Sequence, residues 1–171
     1  MTDDIDPALL EAPSALQTHL GYRLTIWSED FARVELPLTP VLMNRQGLPH
    51  GGMHATLLDT AMGFCGCYTG DPARAQMALT LSLTVNYLGQ AQGEMLIADA
   101  RRTGGGKSTF FAEATVRDAH DTLIATGSGV FRYRRGGSAG TSGHIPDPVS
   151  SVGSCPAECR PNDFGRLRRA S

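Results

Sequence analysis

A strict alternation of apolar and polar residues between positions 79 and 87 is the clearest pattern in the chain. Successive side chains of a β-strand point to opposite faces of its sheet, so this period of two predicts a strand. Runs rich in aromatic and β-branched residues, separated by turn residues, predict further strands. Their expected ranges are 22–27, 31–38, 93–102, 108–117 and 122–134. The last three are joined by short connections, which predicts an antiparallel meander.

Between positions 51 and 68 the pattern changes to that of a helix. Leu57, Ala61, Cys65 and Tyr68 recur at three- and four-residue spacing, as they would on one helix face. The segment is apolar nearly all round, which is typical of a helix buried against a sheet. We therefore expect this helix to be the central element of the core.

The chain length and the change in composition near position 135 predict one folded domain. With 171 residues, of which 41% are hydrophobic, the chain supports one core of ordinary size. Residues 1–17 are expected to form a helical lead-in, and residues 18–135 the folded domain. Residues 136–171 are rich in Gly, Ser and Pro and bury too little apolar surface to offset their ordering entropy, so we expect a disordered tail.

Charge and the absence of targeting signals narrow the class of protein. A formal net charge of -2 provides no broad basic field, which argues against nucleic acid as the main partner. The first residues are acidic and lack the basic and apolar regions of a signal peptide, and no stretch is apolar for long enough to span a bilayer. We expect a cytoplasmic protein with no membrane partner.

The segment from Asn44 to Asp59 carries the candidate chemistry, because a polar loop there leads directly into the predicted helix. The first N–H groups of a helix have no internal partners and the helix dipole is positive at that end. Glycine allows a polarised carbonyl oxygen to approach these groups closely, so Gly51 is a candidate oxyanion donor. The alternative is that Gly51 and Gly52 only permit a tight turn or close packing.

Asp59 is unusual because a carboxylate within an apolar helix loses hydration unless it is paired, hydrogen-bonded or open to a cleft. It is either a functional group or a residue that faces the surface. Gly51 and Asp59 lie eight positions apart, which corresponds to about 12 Å along a helix. One reacting carbon cannot contact both. If both are catalytic, the protein is an antiparallel dimer with its sites at the interface.

Potential metal ligands do not form a convincing site. His50 and His54 have the spacing of paired ligands on a helix face, but the glutamate of the zincin signature is missing and Asp59 falls off that face. Structural zinc takes four ligands, whereas the cysteines form two separate pairs, Cys65 with Cys67 and Cys155 with Cys159. We expect neither a metal nor a redox cofactor.

The spacing of Asn44, His50-Gly51-Gly52 and Asp59 resembles that of the hot-dog thioesterases of the PaaI type. The resemblance covers about residues 20–134. It implies an α+β fold, in which a six-stranded antiparallel sheet wraps around the helix at about residues 51–68. It also implies that two protomers join their sheets edge to edge, usually as a dimer of dimers, so the expected assembly is a homotetramer with shared active sites.

The resemblance assigns roles to particular residues of an acyl-CoA thioesterase. Asp59 would be the nucleophile or general base, Gly51 N–H would polarise the thioester carbonyl, and Thr80 would orient the water or the carboxylate. Asn44 would assist at the carbonyl or water, and His50 would fix the loop. Cations near the surface would bind the CoA phosphates, with these candidates: Lys107, Arg101, Arg102 and Arg134.

The acyl group and the exact chemistry remain open at this point. Aryl-acyl groups such as phenylacetyl and medium or long fatty acyl groups both agree with the pattern, as do a covalent anhydride and direct attack by water. The principal alternative is a hot-dog module that binds acyl-CoA without turnover. A dehydratase or hydratase on the same fold and a structural dimerisation module are further alternatives.

Overall fold

The computed structural model describes residues 5–134, and the predicted tail at 136–171 lies outside this range. Short 3₁₀ turns occur at Pro7–Leu9 and Pro40–Leu42. The two helices are α1 (Ala15–Leu20) and α2 (Gly51–Cys65). The six strands are β1 (Arg23–Ser28), β2 (Phe31–Pro37), β3 (Ala78–Tyr87), β4 (Met95–Gly105), β5 (Thr109–Asp118) and β6 (Leu123–Tyr133). Every predicted strand is therefore present, with small shifts at its ends.

The strands form one antiparallel sheet in the order β1-β2-β4-β5-β6-β3. The predicted meander of β4, β5 and β6 is confirmed. Strand β3 does not follow β2 in the sheet, because α2 carries the chain across to the opposite edge. Helix α2 contacts all six strands, which confirms it as the central element. This arrangement is the hot-dog fold.

Helix α2 begins where predicted but ends at Cys65, three residues before the expected end at Tyr68. Two side chains donate to carbonyl oxygens at this end of the helix, in addition to the backbone hydrogen bond from Cys67 N to Phe64 O at 2.9 Å. Trp27 Nε1 donates to Phe64 O at 2.8 Å and Tyr133 Oη donates to Gly66 O at 2.9 Å. A Cβ at Gly66 would lie 2.2 Å from the buried Phe110 ring, so this position requires glycine.

The inner face of α2 supplies the apolar centre of the core. Its fully buried side chains pack with those of the sheet, where Phe110 stacks on Phe131 at 5.0 Å between ring centroids. Cys65 and Cys67 are buried, and neither forms a disulfide within residues 5–134. Burial raises the pKa of both thiols to about 12, so they are neutral near pH 7 and act as core residues, as predicted.

In strand β3 several apolar side chains of the alternating pattern are exposed. Its residues form the predicted strand, but Leu79, Leu81 and Tyr87 are 46%, 54% and 57% exposed. Two features explain this exposure. The strand is the last in the sheet and pairs only with β6, and an irregularity between Thr80 and Ser82 interrupts its register. An edge strand with exposed apolar side chains is a surface suited to pairing with another strand.

Asp118 holds two connections of the sheet together. It is 1% exposed. One carboxylate oxygen accepts from Gln92 N at 3.0 Å, and the other accepts from the N–H groups of His120 and Thr122 at 2.9 Å each. The hydrogen bond from Gln92, followed by those from the turn, lowers the pKa of Asp118 because these donors favour the charged form.

We expect Asp118→Asn to lower the thermal unfolding midpoint at pH 7. The amide cannot accept at every position where the carboxylate does, so a buried donor loses its partner. A lowered folded-state pKa stabilises the fold above the ordinary pKa, and this contribution is lost as pH falls through the folded value. The difference in unfolding midpoint between the Asp118→Asn variant and the parent protein should therefore become smaller below about pH 4. Glu113→Gln, at an exposed site on the same strand, is the control in thermal scans from pH 3 to 8. If the difference in unfolding midpoint at low pH equalled that at pH 7, the charged form of Asp118 would not be what stabilises the fold.

Candidate active site

Asp59 and Thr80 form a hydrogen-bonded pair between α2 and β3. Thr80 Oγ1 donates to Asp59 Oδ1 at 2.8 Å. Asp59 is half-buried, and none of the ion pairs within residues 5–134 involves it. The second carboxylate oxygen is therefore not neutralised by a neighbouring cation. The sequence-based expectation that Thr80 orients this carboxylate agrees with the contact.

The pair lines a cavity of about 330 Å³. Its other lining residues come from α2 and the segment after it, from β1, from β3 and the residues just before it, from β6 and from the segment around α1. Most are apolar or aromatic and include Leu10, Tyr22, Leu24, Trp27, Phe64, Met77 and Phe131. Asp59 thus lies at the wall of a largely apolar cleft, and its role as a functional group stays a prediction.

Gly51 is the first residue of α2. Its N–H donates to no acceptor within residues 5–134, as expected of the first turn of a helix. The preceding residue, His50, caps the helix, because its Nδ1 accepts from Gly52 N at 2.9 Å. Tyr87 Oη donates to Gly51 O at 3.2 Å. The tyrosine contact was not predicted, since 36 residues separate the two positions and no local pattern connects them.

Asn44 shapes the loop that leads into α2. Its Oδ1 accepts from Gln46 N at 2.8 Å and from Leu48 N at 3.2 Å. The backbone N–H of Asn44 also donates to Leu48 O at 2.7 Å. The side-chain carbonyl is therefore occupied within the loop, and only the amide nitrogen is free to assist at a substrate.

The five residues with a predicted catalytic role form two separate groups within one protomer. Asn44, His50 and Gly51 line a second cavity, whereas Asp59 and Thr80 line the 330 Å³ cavity. No residue lines both. The helix length that separates Gly51 from Asp59 explains this division, as the sequence spacing predicted.

The four candidate cations do not converge. Lys107 and Arg134 line a third cavity together with Arg132, which the sequence did not single out. Arg132 lies on β6, and Arg134 follows the end of this strand two positions later, a spacing that indicates a shared face. By contrast, Arg102 pairs with Asp30 at 3.3 Å. Arg101 lies 4.7 Å from the centroid of the Phe31 ring and lines another cleft.

Comparison with known proteins supplies the family. Residues 46–125 match the model of the thioesterase superfamily. A Halobacterium salinarum protein named "Putative esterase" is 36% identical over 130 residues, which cover 70% of this chain and 85% of the relative. The chain belongs to the thioesterase superfamily.

Solved structures of this superfamily's fold agree with the architecture. A Bacillus halodurans protein solved with CoA is 28% identical, with a TM-score of 0.61 over 72% of this chain and 78% of that one. The PaaI protein of the E. coli phenylacetic acid degradation operon is 22% identical, with a TM-score of 0.63 over 72% of this chain and 86% of that one. The resemblance to the PaaI type is thereby confirmed at the level of the fold.

His54 is the remaining unusual group near the helix start of this superfamily member. Its ring is buried, neither nitrogen has a hydrogen-bond partner among residues 5–134, and the ring lies edge-on to Tyr87. Burial lowers the pKa of His54, although the carbonyl oxygens of His50 and Gly51 act in the opposite direction. In the described part of the chain, no three His, Cys, Asp or Glu residues cluster as metal ligands would. No helix there is long and apolar enough to cross a membrane.

Proposed function

We propose that this protein hydrolyses acyl-CoA thioesters to a free carboxylic acid and CoA, with Asp59 as the catalytic carboxylate. The observation that carries the proposal is a carboxylate held by Thr80 at the wall of an apolar cavity. Membership of the thioesterase superfamily and the relative solved with CoA support it. An apolar cleft with a few convergent polar groups is the usual form of a small-molecule site.

In the proposed reaction, the oxygen of water forms a bond to the thioester carbonyl carbon and the carbon–sulfur bond breaks. The thiolate leaves and takes up a proton. Asp59 accepts the proton of the attacking water, or attacks the carbonyl itself to form a mixed anhydride that water then opens. Thr80 fixes one carboxylate oxygen, which leaves the other directed to the reacting group. Gly51 N–H stabilises the oxyanion.

The oxyanion donor would come from a second protomer. Gly51, Asn44 and His50 do not share a cavity with Asp59, so one chain does not complete the site. The free edge of β3, with its exposed leucines Leu79 and Leu81, supports edge-to-edge pairing of two sheets. Such pairing produces a two-fold homodimer with two equivalent sites, and we propose that two dimers form the tetramer.

Lys107, Arg132 and Arg134 are the proposed partners of the CoA phosphates. They line one cavity, and cations on a surface cleft attract anionic groups. Gln76 lines both this cavity and the one that contains Asp59, so the two are adjacent. We do not include Arg101 and Arg102 in this group, because Arg101 lies over the Phe31 ring and Arg102 pairs with Asp30. Their contact with CoA phosphates stays a prediction from the sequence.

The test is release of free thiol from phenylacetyl-, benzoyl-, hexanoyl- and palmitoyl-CoA. The wild-type protein should release CoA from at least one of them, and the ranking of the four should identify the acyl class. The alternative function, an acyl-CoA-binding module, predicts binding without thiol release. Binding of all four with no release above the uncatalysed rate would therefore reject the thioesterase proposal.

Thr80→Val should reduce kcat by about tenfold, whereas Thr80→Ser should retain most of it. Valine removes the hydroxyl that donates to Asp59, and a hydrogen bond to a charged group contributes roughly 1.5–3 kcal/mol. Serine keeps the donor. Steady-state kinetics on the best thioester of the panel measures the effect. If valine and serine variants behave alike, the hydrogen bond has no part in turnover.

A further inference from the structure

The segment before and within α1 forms one wall of the cavity that contains Asp59. The lining residues from this segment are Leu10, Glu11, Ala12, Ser14 and Gln17. We propose that these five lining residues of the segment 10–17 limit the acyl group to a neutral apolar chain or aryl group of about ten carbons. This inference rests on the proposed thioesterase function and concerns the selection of the substrate.

The size of the cavity sets the upper limit. Its volume is about 330 Å³, roughly twice the ~150 Å³ of an apolar cavity that binds benzene. A methylene group fills about as much space as a water molecule, roughly 30 Å³. The cavity therefore accommodates an arylacetyl group or a chain of about ten carbons, and a palmitoyl chain exceeds this volume and would not fit within the lining.

Another part of the lining is held by a hydrogen bond and by aromatic contacts. Trp27 donates to Phe64 O at 2.8 Å, and its ring meets those of Phe64 and Tyr68 edge-on at 5.4 and 5.6 Å between centroids. A side chain fixed by a hydrogen bond and two aromatic contacts does not yield to a longer substrate. Leu10, Glu11 and Ala12 of the lead-in are exposed, so substitutions there can change the size of the cavity without disturbing the core.

The charge of the lining selects against anionic acyl groups. Glu11 and Asp59 both line the cavity, and no arginine or lysine among residues 5–134 does. A second carboxylate on the acyl group would be placed among like charges in an apolar cleft, which is unfavourable. The expected acyl groups are therefore uncharged.

The chain contains one tryptophan, Trp27, and it lines the cavity, so its fluorescence reports occupancy directly. Thioethers of CoA lack the thioester carbonyl group, so they are not substrates for thioester hydrolysis. We expect phenylethyl-CoA and octyl-CoA to change the Trp27 emission on binding and methyl-CoA to leave it unchanged. Octyl-CoA with a terminal carboxylate should bind at least tenfold more weakly than octyl-CoA.

Two substitutions in the lead-in test its role. Ala12→Phe fills the cavity and should weaken binding of octyl-CoA by about tenfold or more, because one methylene in a hydrophobic pocket already changes discrimination by roughly tenfold. Leu10→Ala opens the wall and should improve hexadecyl-CoA relative to octyl-CoA. Ala15→Phe and Leu16→Ala are matched controls, since both positions are exposed and belong to the same segment but do not line the cavity.

The outcomes separate this inference from the proposed function. If Trp27 reports thioether binding and Ala12→Phe weakens it while no thioester is hydrolysed, the acyl cavity is correct and the catalytic proposal is wrong. If thioesters are hydrolysed but Ala12→Phe and Ala15→Phe bind octyl-CoA equally, the catalytic proposal stands and residues 10–17 do not select the acyl group. Equal binding of hexadecyl- and octyl-CoA by the parent protein would also overturn the size limit.

Discussion

Asp59→Asn is expected to lower thioester hydrolysis by at least a hundredfold and to leave the fold intact. General-base assistance contributes roughly 10²–10⁴ in rate, and a nucleophilic role would raise the loss further. Asparagine has nearly the same shape, and its side-chain oxygen can still accept the hydrogen bond from Thr80. The substitution therefore removes the basic oxygen and little else.

The control for Asp59→Asn is a variant that loses one negative charge at a position outside the candidate site. Glu29→Gln serves this purpose, because Glu29 is exposed and lies between β1 and β2, away from both groups of candidate residues. Thiol release and the change in Trp27 emission with octyl-CoA should be measured on the same samples at matched oligomeric state. Retained binding with lost turnover assigns Asp59 to catalysis. Turnover equal to that of Glu29→Gln would exclude it.

The local part of this site was predictable because it depends on spacing along the chain. Gly51 and Asp59 lie on one helix, so the distance between them follows from helical geometry alone. The sequence therefore placed them too far apart to serve one substrate from one chain, and they line different cavities. The strands were predictable for a similar reason, since alternation with a period of two depends only on neighbouring residues.

Contacts between distant segments were not predictable. Nothing near Ala12 or Trp27 in the sequence indicates that both line the cavity of Asp59, because that depends on how α1 and β1 pack against α2. The position of β3 at the edge of the sheet is also a property of topology, and it explains why Leu79 is exposed although it is an apolar residue of the alternating pattern.

The early end of α2 has the same origin. Apolar spacing continues to Tyr68, which favours a longer helix. The ring of Phe110 and the hydroxyl of Tyr133 lie against Gly66, and both come from strands more than forty residues later in the chain. Local periodicity does not contain that information, so tertiary packing overrides it.

Gly51→Pro should reduce kcat by about 10²–10³, the usual effect of removing one oxyanion donor. Proline has no N–H but is favoured at the first position of a helix. His50 already has the extended conformation, φ -61° and ψ 136°, that a residue before proline adopts. Gly51→Ala is the control for bulk, because a Cβ at this position lies 3.3 Å from Tyr87 in either variant. Equal rates for the proline and alanine variants would exclude Gly51 N–H as the donor.

Gly51→Pro also tests whether each active site is shared between two protomers. Gly51→Pro and Asp59→Asn are each expected to be nearly inactive alone, but a mixed dimer would contain one site with both changes and one site with neither. Random exchange makes half of the dimers mixed, so the mixture should regain about a quarter of the wild-type activity. A mixture of Gly51→Ala and Asp59→Asn controls for the exchange itself. If Gly51 and Asp59 acted within one protomer, every site would carry one defect and no activity would return.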